Sequence, residues 1–312
     1  MAINVANSRD VEVPQPPESP AGTAALRALV ADNAGNIYVA MQATDQRLPV
    51  TAGGASSGST GRTGYVTKIS AAASAGPAIT SVTNAFGDSS TIAPNTWVIV
   101  KGTGLATGAA RIWQGSDFVN NQLPVQLDGV NVKLNGLNAY VWYVSPTQLN
   151  ILTPPNLGAG PVQVTVTAGG TTSAAFAIQA APVSLSLFVF GAGPYATAIH
   201  ASGAFLGPTA LYPGLTTPAQ PGESIILYGN GFGPTSVGVV AGGVTQSGTL
   251  SPLPVVQIGG VNAAVQFAGL VAPGLYQLNV QVPSSLANGD HAVVVQYAGA
   301  ATQRGMLLAV QR

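Results

Sequence analysis

Pro221-Gly222-Glu223-Ser224-Ile225-Ile226-Leu227-Tyr228-Gly229-Asn230-Gly231-Phe232-Gly233-Pro234 is the stretch whose reading decides the fold. A Pro-Gly turn opens it, a short apolar strand follows, and Gly-x-Gly breaks the strand before an apolar residue. Glycine tolerates positive φ, so the chain can bend sharply as it leaves a sheet. Phe232 is then free to drop back into the core. A weaker copy lies upstream, Pro94-Asn95-Thr96-Trp97-Val98-Ile99-Val100-Lys101-Gly102-Thr103-Gly104-Leu105, with Leu105 in the place of Phe232.

The likeness extends downstream of both stretches. Asn135-Gly136-Leu137-Asn138-Ala139-Tyr140-Val141 echoes Gly259-Gly260-Val261-Asn262-Ala263-Ala264-Val265. Leu149-Asn150-Ile151-Leu152-Thr153-Pro154 echoes Leu278-Asn279-Val280-Gln281-Val282-Pro283. Pro154 to Pro283 and Leu157 to Leu286 are each 129 positions apart. Each copy continues with a glycine turn and an alternating strand, Val162–Val166 and Ala292–Gln296. From Ile79 onward no segment sustains the i, i+3, i+4, i+7 apolar spacing of a helix. Two units of about 100 residues, with turn residues every 8–12 positions, predict two β-sandwiches.

The order strand, Gly-x-Gly-Phe/Leu, Val256-Gln257-Ile258-Gly259-Gly260-Val261, Gln277-Leu278-Asn279-Val280-Gln281-Val282-Pro283, then Gly289-Asp290-His291-Ala292-Val293-Val294-Val295 resembles the IPT/TIG family of immunoglobulin-like domains. The second copy, through Ala272-Pro273-Gly274-Leu275-Tyr276-Gln277, is further similar to a C-terminal module of large secreted acidobacterial proteins. The first copy departs from that pattern at Val144-Ser145-Pro146-Thr147-Gln148. The resemblance covers roughly residues 78–312. It implies an immunoglobulin-like fold and little about activity.

The N-terminal part has another character. Val13 to Pro20 holds four prolines in eight positions, which favours extended polyproline conformation. Ala24 to Ala31 fits a short helical turn and a strand equally. Asp32 to Asn36 is a turn, Ile37-Tyr38-Val39-Ala40 a strand, Gly53 to Gly64 a Gly/Ser-rich loop, and Tyr65 to Ile69 a second strand. This block resembles one repeat of bacterial β-propellers. A blade needs neighbours to bury its faces. Ala71 to Pro77 is a small-residue linker. The expected organisation is residues 1–76 as Pro-rich segment plus propeller-type repeat, 77–182 as the first sandwich, and 183–312 as a connecting hairpin and the second. The fold class is therefore all-β: two tandem immunoglobulin-like β-sandwiches with an N-terminal β-hairpin or propeller-repeat segment.

Composition bounds the function. Charged residues make up 6% of the 312, against about 25% in ordinary domains. Between Lys133 and Arg304 the only formal charges are Glu223 and Asp290. Such a surface suits an extracellular or cell-surface protein, or one that packs against copies of itself. Net charge is zero and the basic residues are scattered, so nucleic acid is not an expected partner. There is no cysteine, which removes disulfides and thiolate sites. No apolar run reaches the roughly 18 residues of a membrane-spanning helix. Arg9, Asp10 and Glu12 stand where a signal peptide would need an apolar stretch, so an exported form would be a mature chain or an excised piece.

Candidate chemistry is sparse. Gly229-x-Gly231-x-Gly233 lacks the helix that a dinucleotide loop needs after it. His200 and His291 fall in different strands, short of the three or four ligands zinc takes. No Gly-x-Ser-x-Gly elbow appears, and the acids Asp88, Asp117, Asp128, Glu223 and Asp290 are widely spaced. Asp117 and Asp128 could meet across a loop, but ordinary turn aspartates explain them more simply. Asp32, Asn33 and Asn36 fit a calcium turn, but Asx-turn capping explains them more simply. No catalytic residue, metal ligand or cofactor is therefore assigned.

Aromatic residues are the one hint of function. Trp97 and Trp142 sit in apolar strands and are expected in the core. Trp113 is followed by Gln114-Gly115-Ser116-Asp117-Phe118 and reads as a loop residue. The candidate ligand contacts are Trp113, Asp117 and Tyr143, with core or junction packing as the alternative for Trp113. The expected function is a non-enzymatic structural or interaction module of an exported protein, meeting protein partners or its own copies through strand edges and loops. The alternative is a carbohydrate-binding accessory module, with surface polysaccharide as ligand.

Overall fold

A computed structural model describes residues 24–32, 36–43, 63–69, 76–191 and 193–312. The Pro-rich stretch Val13 to Pro20, Asn33, most of the Gly/Ser-rich loop and Ala71 to Ala75 lie outside them. The chain forms two compact units, Met1–Ser74 and Ala75–Arg312.

In the first unit, β1 (Ala24–Ala31), β2 (Ile37–Ala43) and β3 (Thr63–Ile69) make an antiparallel sheet in the order β1-β2-β3. The segment for which helix and strand stood equal is thus a strand. Asp32 closes the turn before β2: its carboxylate accepts from the Asn36 backbone and side chain at 2.9 and 2.7 Å, and from Tyr38. This is the capping role.

Among its described residues the second unit is strand, turn and extended chain apart from one 3-10 turn, Gly115–Asp117. Its first sandwich runs β4 (Ala78–Asn84), β5 (Thr91–Ile92), β6 (Trp97–Thr103), β7 (Arg111–Ile112), β8 (Asn131–Leu134), β9 (Leu137–Asn138), β10 (Tyr140–Val144), β11 (Gln148–Leu152), β12 (Gly160–Ala168), β13 (Thr171–Thr172) and β14 (Phe176–Ala180). The two layers are β4-β6-β11-β10-β7 and β5-β14-β12-β8-β9, with β13 on β12. Alternation dictates the facing. In β12, Val162, Val164 and Val166 are fully buried, while Gln163 is exposed between them.

The second sandwich continues with β15 (Ser186–Leu187), β16 (Ala198–His200), β17 (Phe205–Leu206), β18 (Thr216–Thr217), β19 (Ser224–Asn230), β20 (Gly248–Thr249), β21 (Val255–Ile258), β22 (Val261–Ala272), β23 (Leu275–Gln281), β24 (Gly289–Tyr297), β25 (Ala300–Ala301) and β26 (Leu307–Val310). The pairings repeat those of the first. β6 lies between β4 and β11, and β19 lies between β15 and β23. β8 pairs β12, and β21 pairs β24. A parallel contact closes each second layer, β5 on β14 and Ala219 beside Val310. One difference joins the layers. β22 is a single long strand whose start pairs β21 and whose remainder pairs β23, where the first sandwich uses separate β9 and β10 around buried Ala139. The connecting hairpin β16–β17 turns at Ala201–Gly203, and β16 adds onto β19, extending that sheet.

Each apolar residue after Gly-x-Gly is where the pattern puts it: Leu105 and Phe232 are fully buried. Phe232 packs on Tyr276 with ring centroids 5.3 Å apart, a burial that contributes on the order of 2–3 kcal/mol. The Tyr276 hydroxyl donates to the Gly233 carbonyl. After Gly104 and Gly233 the chain continues as turns and extended segments. Gly231 has φ +76, and a Cβ there would lie 1.9 Å from the Ser184 carbonyl oxygen. The glycine is needed because the connection between sandwiches crosses directly over it.

Two expectations are corrected. Trp97 and Trp142 are half-buried and face away from the sandwich core. In β6 the core takes Val98 and Val100, so period-2 geometry turns Trp97 outward with Ile99 and Lys101. In β10 a register shift between Val141 and Tyr143 presents Trp142 on the same outer surface.

Gly231→Ala is expected to destabilise the second unit by about 2–4 kcal/mol, from backbone clash plus positive-φ strain. Gly299→Ala, with φ +79 and nothing within 4 Å, should cost only about 1–2 kcal/mol. Denaturant midpoints of the two variants check the difference; equal losses would remove the role given to the crossing.

Candidate ligand cleft at the junction of the two sandwiches

The outward face of β6, β10 and β11 meets the second sandwich at one turn, Ala272-Pro273-Gly274-Leu275. Proline followed by a positive-φ glycine suits a type II turn, and Gly274 has φ +65. The turn seats on Trp97, whose indole Nε1 donates to the Pro273 carbonyl at 2.9 Å. A Cβ on Gly274 would come within 2.6 Å of Leu152 and 2.8 Å of Trp97. Only glycine allows this approach.

Beside the turn, Asn84 at the end of β4 and Asn230 at the end of β19 are fully buried and bonded to each other. Asn230 Oδ1 accepts from the Trp97 backbone N–H at 2.9 Å, and its Nδ2 donates to the Trp97 carbonyl at 3.0 Å. Asn84 Nδ2 donates to the Ser184 carbonyl at 2.6 Å, and Asn84 Oδ1 accepts from Ser186 Oγ at 2.9 Å. Farther along, Asn95 donates to Gln246, and backbone bonds join Leu123 to Gly242 and Val244 to Asn121. Leu123, Tyr140 and Leu152 form a small apolar cluster against Val244 at the same boundary.

These contacts leave a cavity of about 360 Å³ lined by Trp97, Trp113, Trp142, Phe86 and Asn150 from the first sandwich, and by Phe188, Pro273 and Leu275 from the connection and the second. The rings brace each other. Trp113 and Trp142 meet Trp97 edge-on at 6.0 and 6.1 Å, Phe118 backs Trp113 at 5.1 Å, and Phe86 stacks on Phe188 at 3.8 Å. A larger hollow of about 600 Å³, bounded by Pro94, Asn95, Pro182 and Pro234, gathers no aromatic ring.

The residues expected to contact ligand separate. Trp113 lines the cavity; Asp117 and Tyr143 do not. Asp117 and Asp128 do come together, across Arg111, which bonds Asp117 at 2.8 Å and Asp128 at 2.7 Å. The Gln114 N–H also donates to Asp117. Hydrogen bonds from Arg111 hold both carboxyls below the usual carboxylate range, and the Gln114 N–H adds to this at Asp117. These groups fasten the loop that carries Trp113. Tyr143 is half-buried, paired with Ile112 across β7 and β10. Sequence reasoning had not placed Trp97, Trp142, Phe86 or Phe188 here.

The histidines lie apart in the fold. His200 Nδ1 meets Glu223 Oε1 at 2.5 Å and its Nε2 meets Thr217, whereas His291 Nε2 meets the Ala287 carbonyl at 2.9 Å. Among the described residues, no three of His, Cys, Asp or Glu are grouped as a metal site would need.

Residues 77–180 match the family model of the IPT/TIG domain. No curated protein matches the sequence. Among solved structures, the chain is similar to SGBP-B of the Bacteroides ovatus mixed-linkage glucan utilization locus, solved in complex with a mixed-linkage heptasaccharide. That similarity has 11% identity, covers 89% of this chain and 53% of that one, and gives a TM-score of 0.35. It is also similar to the γ-CGTase of alkalophilic Bacillus clarkii, with 12% identity, 93% and 40% coverage and a TM-score of 0.24. Domains 5–6 of the S-layer protein SbsC give 10% identity, 75% and 98% coverage and a TM-score of 0.21. The chain thus spans about half the length of the first of these and less than half of the second.

The pH dependence of the Trp113 loop follows from the lowered carboxyl pKa values. A depressed folded-state pKa gives stability that is complete above the ordinary value, near pH 4, and lost as pH falls through the lowered value. The Trp113 indole resonance should therefore stay fixed from about pH 8 to 5 and move only below about pH 4. Movement near neutrality would mean that the Arg111 carboxylate pair is not the anchor.

Proposed function

We propose that this chain is a non-enzymatic structural and interaction module of an exported bacterial protein, and that its two sandwiches act as one stiff body. The observation that carries this is the buried Asn84–Asn230 pair, which ties the backbone of β6 to the end of β19 and to the connection. The repeated pairing pattern supports reading the second sandwich as a second IPT/TIG-type copy, like the C-terminal module of secreted acidobacterial proteins. Among the described residues of Met1–Ser74, β1, β2 and β3 pair antiparallel in chain order, as successive strands of a propeller blade do, which supports the propeller-repeat reading. A charge-poor surface supports an extracellular or cell-surface setting, and no helix among the described residues is long and apolar enough to cross a membrane. The open edge of β4, seven residues long, is where strand addition by another copy would act. The carbohydrate reading is left with Trp113, because the Asp117 carboxylate is engaged by Arg111 and Tyr143 lies off the cavity.

The stiffness can be measured directly, because a chain without cysteine accepts two introduced labels cleanly. Spin labels at Gln163→Cys and Asn262→Cys, both exposed, should give one narrow distance distribution. Adding Asn230→Ala, which leaves the Trp97 N–H without its partner at about 1–3 kcal/mol, should broaden it. A broad distribution in the parent chain would sink the stiff-body reading.

A further inference from the structure

We propose that the aromatic cleft binds an extended, proline-rich segment of a partner protein. The inference rests on the stiff-body reading, since the two sandwiches each supply part of the wall, and it goes beyond that reading by naming the ligand class.

The argument is the hydrogen-bond inventory of the walls. Trp97 Nε1 is already committed to Pro273. Among the described residues, the indole N–H groups of Trp113 and Trp142 have no protein acceptor, and neither does the Nδ2 of Asn150. None of the three is buried away from solvent. The lining holds one side-chain acceptor, Asn150 Oδ1, and Gln148 Nε2 already donates to it at 2.8 Å. No charged residue lines the cavity. The cleft is therefore apolar and aromatic, its unpaired side-chain N–H groups are donors, and its one side-chain acceptor is already shared with Gln148.

A ligand that fits must offer flat apolar surface and acceptors while bringing few donors. A sugar brings a donor with every hydroxyl, and each one desolvated without an acceptor costs about 1–3 kcal/mol. An ordinary peptide brings an N–H at every residue. Proline has no N–H, and in polyproline conformation its carbonyls stand outward and unpaired. Its ring stacks on indole faces, and aromatic-lined grooves recognise such segments because the ligand is already extended. The volume lies at the small end of ligand sites and suits a few residues rather than a globular surface. The walls are preformed, with Trp97 held through its N–H, carbonyl and indole, so little ordering is needed on binding.

The test is titration of the full chain with octaproline, following tryptophan emission, beside a Gly-Ser octapeptide and a mixed-linkage gluco-oligosaccharide. Octaproline should bind and the other two should not. Trp142→Ala should weaken binding at least about tenfold. Because that variant could disturb packing, Asn150→Asp is the sharper one. It keeps the acceptor used by Gln148 and replaces the free donor with a second acceptor. It should weaken octaproline several-fold and, were the ligand a sugar, should strengthen the oligosaccharide instead. Saturable oligosaccharide binding without octaproline binding overturns the proposal and returns the cleft to carbohydrate. No response to millimolar octaproline in a chain whose spin-label distance is narrow overturns the proposal and leaves the stiff body standing; a broad distance removes both.

Discussion

The structure of the larger unit depends on one buried side chain, Asn230, and the backbone of Trp97 that it holds. A fully buried amide with both of its ends engaged is stable only in one arrangement. If the sandwiches separated slightly, the Asn230 amide and the Trp97 N–H would sit desolvated without partners, at about 1–3 kcal/mol each. Sliding the two surfaces past one another, which a purely apolar contact would tolerate, is thereby penalised. Leu123, Tyr140, Leu152 and Val244 supply the attraction at this boundary, and the amides select the angle.

This division of labour suits the composition. A chain with two formal charges between Lys133 and Arg304 has few charges with which to register its halves. Neutral amides and serine hydroxyls do that work, and they do it in the dry interior where salt does not screen them. The ionic group of Arg111 with Asp117 and Asp128 is partly exposed and fastens a loop. Exposed pairs contribute little stability, so its importance lies in where it puts Trp113.

Much of this was legible in the sequence, and what was hidden was hidden for definable reasons. Strands that alternate polar and apolar residues, such as Val162 to Val166, announce both their conformation and their facing. The duplicated Gly-x-Gly breaks placed Leu105 and Phe232 in the cores. In Trp97-Val98-Ile99-Val100 both faces are apolar, so the pattern is silent on which side is inward. Lys101, sharing parity with Trp97, was the one residue that marked the outer face. Asn230 stands between two glycines and reads as a turn residue; its burial depends on Asn84, 146 positions away. The proximity of Asp117 to Trp113 suggested a shared site, but Arg111, six positions before Asp117, takes the carboxylate. Local pattern encodes facing and turns. It does not encode which outward faces will find one another.

The cleft and the junction are not separable features, because Trp97 belongs to both. Its backbone is the part Asn230 grips, its indole N–H is the part Pro273 occupies, and its ring is the wall against which Trp113 and Trp142 lean. A rotation of the second sandwich would move Pro273, Leu275 and Phe188 away from the other rings and open the cavity to water. An aromatic cleft formed this way is present only when both halves are docked. Conversely, a ligand filling it would touch both halves and oppose their separation. Binding and stiffness are therefore linked thermodynamically: whatever occupies the cleft stabilises the docked arrangement, and whatever pulls the sandwiches apart releases the ligand.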